Sequence, residues 1–209
     1  MRFIDHSGTT LPIKVRKACT AWENLWNSEN RLIAEALATL QKGLCAYCES
    51  SVRIDSSKNC HIEHFKPRSK NEALIFEWTN LFLSCNGGAG ENAHCGKHKD
   101  DWNGDDIVSP GDRLCEDLFA YRFDGEVVPS TQLTESDASR ALATIKILNL
   151  NCPALVAKRR GVLREVLRSI ESMDKQWRKG YVDSLLVPEE DGTLRSFHTA
   201  LSQNVDLFR

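Results

Sequence analysis

A chain of 209 residues suffices for one ordinary domain with additions or for two small ones. Its 41% hydrophobic content fits a globule rather than a collagen-like or disordered polymer, and no run of about eighteen apolar residues offers a membrane-spanning helix. The net charge of −2 argues against a stand-alone nucleic-acid binder: either basic residues gather on one face or a partner supplies the grip.

Met1-Arg2-Phe3-Ile4-Asp5-His6 lacks the apolar core and small-residue cleavage site of a signal peptide, so a cytoplasmic location is expected. There the eight cysteines stay reduced, and those that cluster read as metal ligands. Cys19, Cys60, Cys115 and Cys152 do not cluster and read as small buried hydrophobes. After Pro12, apolar residues at Val15, Ala18, Trp22, Leu25, Trp26, Ile33, Leu37 and Leu40 step by three and four, the pattern of an amphipathic helix. Asn27 to Asn30 can divide it, with Ser28 as an N-cap, and Gly43 is a stop. Residues 1–43 are thus expected to be an N-terminal helical segment.

From Leu44 to Asp106 the chain turns to knuckles, short extended pieces and glycine-rich turns, with residues 86–90 as a loop. The region 107–209 opens on a hairpin about Asp124-Gly125. A helix through Ala138, Ala141, Leu142, Ile145 and Leu148 follows. A longer one runs from Leu155 to Trp177, with Gly180 beyond it. The last thirty residues carry weak periodicity.

The chemistry lies in the middle segment. Cys45-Ala46-Tyr47-Cys48 lets two thiolates from one turn face one ion, and Cys85 with Cys95 can complete a closed, structural zinc site. The pair Cys85 and Cys95 is unusually far apart, which leaves Cys60 or His94 as a substitute for one of the four. Glu63 and His64 are adjacent, so on a strand they face opposite sides. One can hold a divalent cation, Mg²⁺ or Mn²⁺, while the neutral imidazole takes a proton from water, as phosphodiester hydrolysis requires. His98, three residues beyond Cys95, would be positioned by the zinc, and His94 shares its face if the helix starts early. Asn80 can hydrogen-bond the backbone leaving the strand and so hold His64. His61 reads as structural, and His6 and His198 carry no motif. Lys66, Arg68, Lys97 and Lys99 border the proposed site and suit phosphate contacts, while Arg160, Arg164 and Arg168 read as a solvated helix face.

Residues 44–102 resemble an HNH endonuclease of the ββα-metal type. The likeness rests on the Cys45/Cys48 knuckle, Glu63-His64, Asn80 and the second knuckle followed by His98-Lys99. More narrowly, His61-Ile62-Glu63-His64-Phe65-Lys66-Pro67 and Trp78-Thr79-Asn80-Leu81 are similar to the PtuB-like nuclease subunit of Septu anti-phage systems. The resemblance implies an α+β fold: a zinc-stapled ββα nuclease core at 44–106, helices before it and a mainly helical part after it. It implies His64 as general base, Glu63 as metal ligand and Asn80 as the central structural residue. It also implies DNA as substrate and an ATPase partner of ABC or SMC-like (PtuA-like) type, in some systems alongside a retron. In that family the residue after the last knuckle cysteine is often Asn or His, and here it is Gly96. That departure leaves His98 or His94 to furnish the remaining ligand of the catalytic cation. The competing classes are a non-catalytic zinc module that binds nucleic acid or a partner, and a thiol redox protein using Cys45 and Cys48.

Overall fold

The computed structural model describes residues 1–12, 22, 27–54 and 59–208. The expected helix around residues 15–26 and Cys19 lie outside the described residues, Trp22 excepted. The architecture is mixed α and β, with two small antiparallel sheets among helices.

Helix α1 spans Asn27–Leu40. Ile33 and Leu37, one turn apart, are fully buried, while Arg31 and Glu35 pair at 2.7 Å on the solvent side. Ser28, read as a cap, is the second residue of the helix and is exposed. Gly43 supplies the positive φ (+72°) of the stop, and its N–H reaches back to Ala38 O at 2.9 Å. The buried Gln41 side chain then stitches the helix end to the sheet. Its Nε2 donates to Leu44 O and Leu83 O, and its Oε1 accepts from Leu83 N.

Strands β1 (Cys60–His64) and β2 (Leu81–Cys85) pair antiparallel, with His64 opposite Leu81 and Cys60 opposite Cys85. All five residues of β2 are buried, whereas β1 is half-exposed at its start. Cys60, expected in the core, is therefore only half-buried, and its thiol points to Arg53 O at 3.5 Å. Cys115 and Cys152 are buried as read. A short helix α2 (Gly96–Lys99) follows, then β3 (Phe119–Tyr121) and β4 (Val127–Pro129), joined through Gly125 at φ +94°.

Helix α3 (Glu135–Ile147) is capped by Thr134, whose hydroxyl accepts from Asp137 N at 3.1 Å. Helix α4 (Pro153–Glu171) begins with proline in its first turn, where a missing N–H costs nothing. The long helix expected to reach Trp177 stops at Glu171, and α5 (Lys175–Leu185) starts anew with Gly180 inside it. The break falls where Ser172 Oγ donates to Ser169 O and Asp174 occupies the next N-cap position. Trp177 is accordingly 65% exposed rather than part of the buried stripe. Helix α6 (His198–Gln203) closes the chain.

One buried apolar cluster takes residues from all parts of the chain, from Leu11 and Leu37 through Tyr47, Leu81, Phe119 and Leu163 to Phe208. Two polar clamps pin the sheet region to the C-terminal helices. Buried Glu49 accepts from Thr199 N and Oγ1, both at 2.7 Å. Arg159, fully buried, donates to Gly125 O and Leu150 O with its guanidinium over the Tyr121 ring. Among the described residues no helix is long and apolar enough to cross a membrane.

Candidate functional site

Cys45 and Cys48 sit in a tight knuckle closed by Cys45 N to Ser50 O at 2.9 Å, with Glu49 in the left-handed region (φ +62°). Cys85 ends β2 and Cys95 directly precedes α2. The four sulfurs all lie within 4.8 Å of one another, and all four residues are buried. Cys45 and Cys95 stand 3.8 Å apart, and Cys48 and Cys85 3.7 Å. Tetrahedral zinc with bonds of about 2.3 Å sets sulfur pairs about 3.8 Å apart, so the cage fits a metal such as zinc. Cys48 is held well below the ordinary thiol range by hydrogen bonds from Cys45, Cys85 and Cys95, while burial pushes Cys95 up.

The long spacing between Cys85 and Cys95 is absorbed by a compact loop. Gly88 N donates to Asn92 O, and a side chain at Gly88 would collide with that carbonyl. Asn149 Nδ2 donates to Ala93 O at 2.8 Å, and Cys95 N to Leu148 O at 2.9 Å, so the end of α3 holds the second knuckle in place. His94 is outside the four-sulfur set; its Nδ1 lies 2.7 Å from Asn92 O and 3.7 Å from Cys152 Sγ.

Beside this cage opens a polar cleft of about 220 Å³, lined by Trp22, Glu63, His64, Arg68, Gly96, Lys99 and, on the α2 exit, Asp100 and Asp101. His64 Nε2 donates to Ile75 O at 3.0 Å. A carbonyl only accepts, so the proton sits on Nε2 and Nδ1 keeps its lone pair. Burial lowers the imidazole below its usual pKa, so the ring is neutral at cellular pH. Trp22 stands edge-on against it, ring centroids 4.5 Å apart. Asn80 is buried and ties down the chain leaving β1: its Oδ1 accepts from Lys66 N at 2.8 Å, and its Nδ2 donates to Lys66 O and Leu74 O at 3.1 Å.

Glu63 lines the same cleft and is almost fully buried. Lys99 Nζ lies 2.9 Å from Oε1, Tyr47 OH 3.4 Å from the same oxygen, and His61 Nε2 3.3 Å from Oε2. Burial alone would raise this carboxyl; the hydrogen bond from His61 and the Lys99 ammonium outweigh it and hold it below its usual range. The same hydrogen bond raises His61.

Several residues read as site members lie elsewhere. His98 is exposed and its Nδ1 turns to Ile147 O at 2.9 Å, because α2 packs against the end of α3. Among the described residues the four cysteines form the one group of three or more metal-ligating side chains that converge, so Glu63, His94 and His98 do not assemble a second one. Lys99, read as a phosphate contact, is buried, donating also to His64 O and Phe65 O at 3.2 Å. Lys66 is engaged by Gly104 O and Asp105, and Lys97 by Gly88 O. Arg68 is exposed at the cleft. His61, read as structural, is the imidazole that meets Glu63. The signal was present: two residues apart on a strand means one face.

No family model matches the chain. Two curated proteins do resemble it. One, from Vibrio cholerae serotype O1 biovar El Tor, is named as a candidate HNH endonuclease of retron Vc95; it is 28% identical over 140 residues, which cover 66% of this chain and 66% of that protein. The other, from Escherichia coli, is named as a candidate HNH endonuclease of retron Ec83; it is 24% identical over 205 residues, covering 76% of this chain and 80% of that protein.

Proposed function

We propose that the chain is an HNH-type endonuclease hydrolysing DNA phosphodiesters, with the β1–β2–α2 unit as a ββα-metal core within residues 44–106. The observation that carries this reading is a neutral histidine, anchored through Nε2, on the wall of a polar cleft that a four-sulfur cage braces from behind. The names of the two similar proteins favour the same activity.

His64 Nδ1 takes a proton from water as the oxygen attacks phosphorus on the side opposite the departing 3′ oxygen. The phosphorus–oxygen bond to the 3′ carbon's oxygen breaks, that oxygen gains a proton from solvent, and 5′-phosphate and 3′-hydroxyl ends remain. Asn80 keeps the strand exit, and hence the imidazole, in register. Arg68 meets the phosphate at the mouth of the cleft. Glu63 would hold a divalent cation, Mg²⁺ or Mn²⁺, which when bound would supply neutralisation of phosphate charge and of the leaving oxygen. The sulfur cage would hold zinc and so keep α2 seated behind Glu63.

The chain acts as an effector with a partner. The small negative net charge argues that much of the grip on DNA comes from elsewhere. The two similar proteins carry retron names, which favours a retron association; the Septu likeness favours an ABC or SMC-like ATPase and a role in anti-phage defence in the cytoplasm.

Plasmid nicking with Mg²⁺ or Mn²⁺, compared between wild type and His64→Ala at matched zinc content, tests the reading. The variant is expected to lose activity by about 10²- to 10⁴-fold. Equal nicking by both proteins would overturn it.

A further inference from the structure

We propose that His61, on β1, is the imidazole ligand that joins Glu63 in holding the catalytic cation. It takes the place of a side chain at position 96 and makes the site one for a transition-type ion such as Mn²⁺. The proposal rests on the nuclease reading for its purpose, but its geometry stands alone. His61 Nε2 and Glu63 Oε2 are 3.3 Å apart. Two donors on neighbouring positions of an octahedral ion, each about 2.1 Å from it, stand about 3 Å apart. The pair is therefore spaced to share one cation.

The ring is oriented for this task. His61 Nδ1 donates to Asn86 Oδ1 at 3.0 Å, and an amide oxygen only accepts, so Nδ1 keeps its hydrogen, and Nε2, which donates to Glu63 Oε2, would give up that proton to bind an ion. A ligating histidine whose second nitrogen donates to an oxygen acceptor has its tautomer fixed in the same way. The carboxylate is steadied too: Oε1 is engaged by Lys99, which leaves Oε2 toward His61. Lys99 is anchored independently by His64 O and Phe65 O.

Gly96 gives the independent observation. A Cβ there would stand 2.6 Å from Glu63 Oε2 and 2.8 Å from His61 Nε2. The backbone of α2's first residue thus lies against the very atoms that would grip the ion, and a side chain there would displace the ends of both. An asparagine or histidine at 96 and an imidazole at 61 would compete for one space. This chain fills it from β1, while His98 is turned to Ile147 O. An imidazole donor suits first-row transition ions, whereas Mg²⁺ is held by oxygens; Mn²⁺ is the transition ion that also takes carboxylate and water readily.

Titration of the zinc-loaded, full-length protein with Mn²⁺, followed by the loss of free-ion electron paramagnetic resonance signal, tests the site directly. Wild type is expected to bind one Mn²⁺. His61→Ala should weaken binding at least tenfold, whereas His98→Ala should leave it unchanged. Gly96→Ala removes no donor yet should weaken binding to a similar degree, its zinc content confirming that the fold persists. Undiminished Mn²⁺ affinity in His61→Ala, a loss confined to His98→Ala, or no Mn²⁺ bound by wild type would each overturn the proposal. Mn²⁺ binding that depends on His61 in a protein that nicks no DNA would uphold this site and sink the nuclease reading instead.

Discussion

The two candidate metal regions of this molecule are neighbours built on opposite principles. The sulfur cage gathers four buried thiols from three separated segments, which backbone bonds such as Cys95 N to Leu148 O hold at 3.7–3.8 Å. Around Glu63 and His64 the protein supplies its own scaffold: Lys99, Tyr47 and His61 on the carboxylate, Ile75 O and Asn80 behind the imidazole. If the first region holds zinc, its folding is coupled to that ion, whereas the second is organised by protein groups alone. A closed cage is bracing; a cleft whose mouth carries exposed Arg68 and Asp100 is where a substrate can enter.

The largest effect that can break this contrast is loss of the cage. Structural zinc binds with about 10–16 kcal/mol of apparent free energy, as much as the whole stability of a typical domain. Cys48→Ser, or chelation of the metal, is therefore expected to abolish the cooperative melting transition seen by circular dichroism. A transition kept near the wild-type temperature would show that the thiols are ordinary core residues.

The cleft responds differently. Lys99→Met leaves Glu63 buried without its cation and should cost about 3–5 kcal/mol in denaturant unfolding, while Lys99→Met combined with Glu63→Leu should recover most of that. Both side chains are nearly inaccessible, 1% for Lys99 and 11% for Glu63, so solvent screening does little to soften the effect. A single-variant loss below about 1 kcal/mol would put the pair in the class of exposed salt bridges. The smallest change concerns Arg68, exposed at the mouth. Arg68→Ala should leave melting unaltered and reduce the salt dependence of DNA binding by about one unit of slope. An unchanged slope would remove Arg68 from the phosphate path.

Much of the zinc region was legible before any fold was known. Two cysteines in one turn can face one ion, and the set Cys45, Cys48, Cys85 and Cys95 converges in space despite the long gap. The Asp124-Gly125 turn was legible for the same local reason, since positive φ favours glycine. The break between α4 and α5 was not, because apolar periodicity continues through Met173 and Trp177 while Ser172 and Asp174 end one helix and begin another.

The one-dimensional chain determined which chemistries were on offer: four thiols, an adjacent acid and imidazole, and an asparagine able to bond the backbone leaving their strand. Those features follow from residue type and from the fixed alternation of a strand. Tertiary structure decided which groups meet. Lys99 became a buried counter-ion rather than a phosphate contact, His98 turned to Ile147 O, and His61 took the place beside Glu63. A four-residue helix has no face of its own until something packs against it. The direction of each side chain on α2 was therefore set by β1 on one flank and α3 on the other.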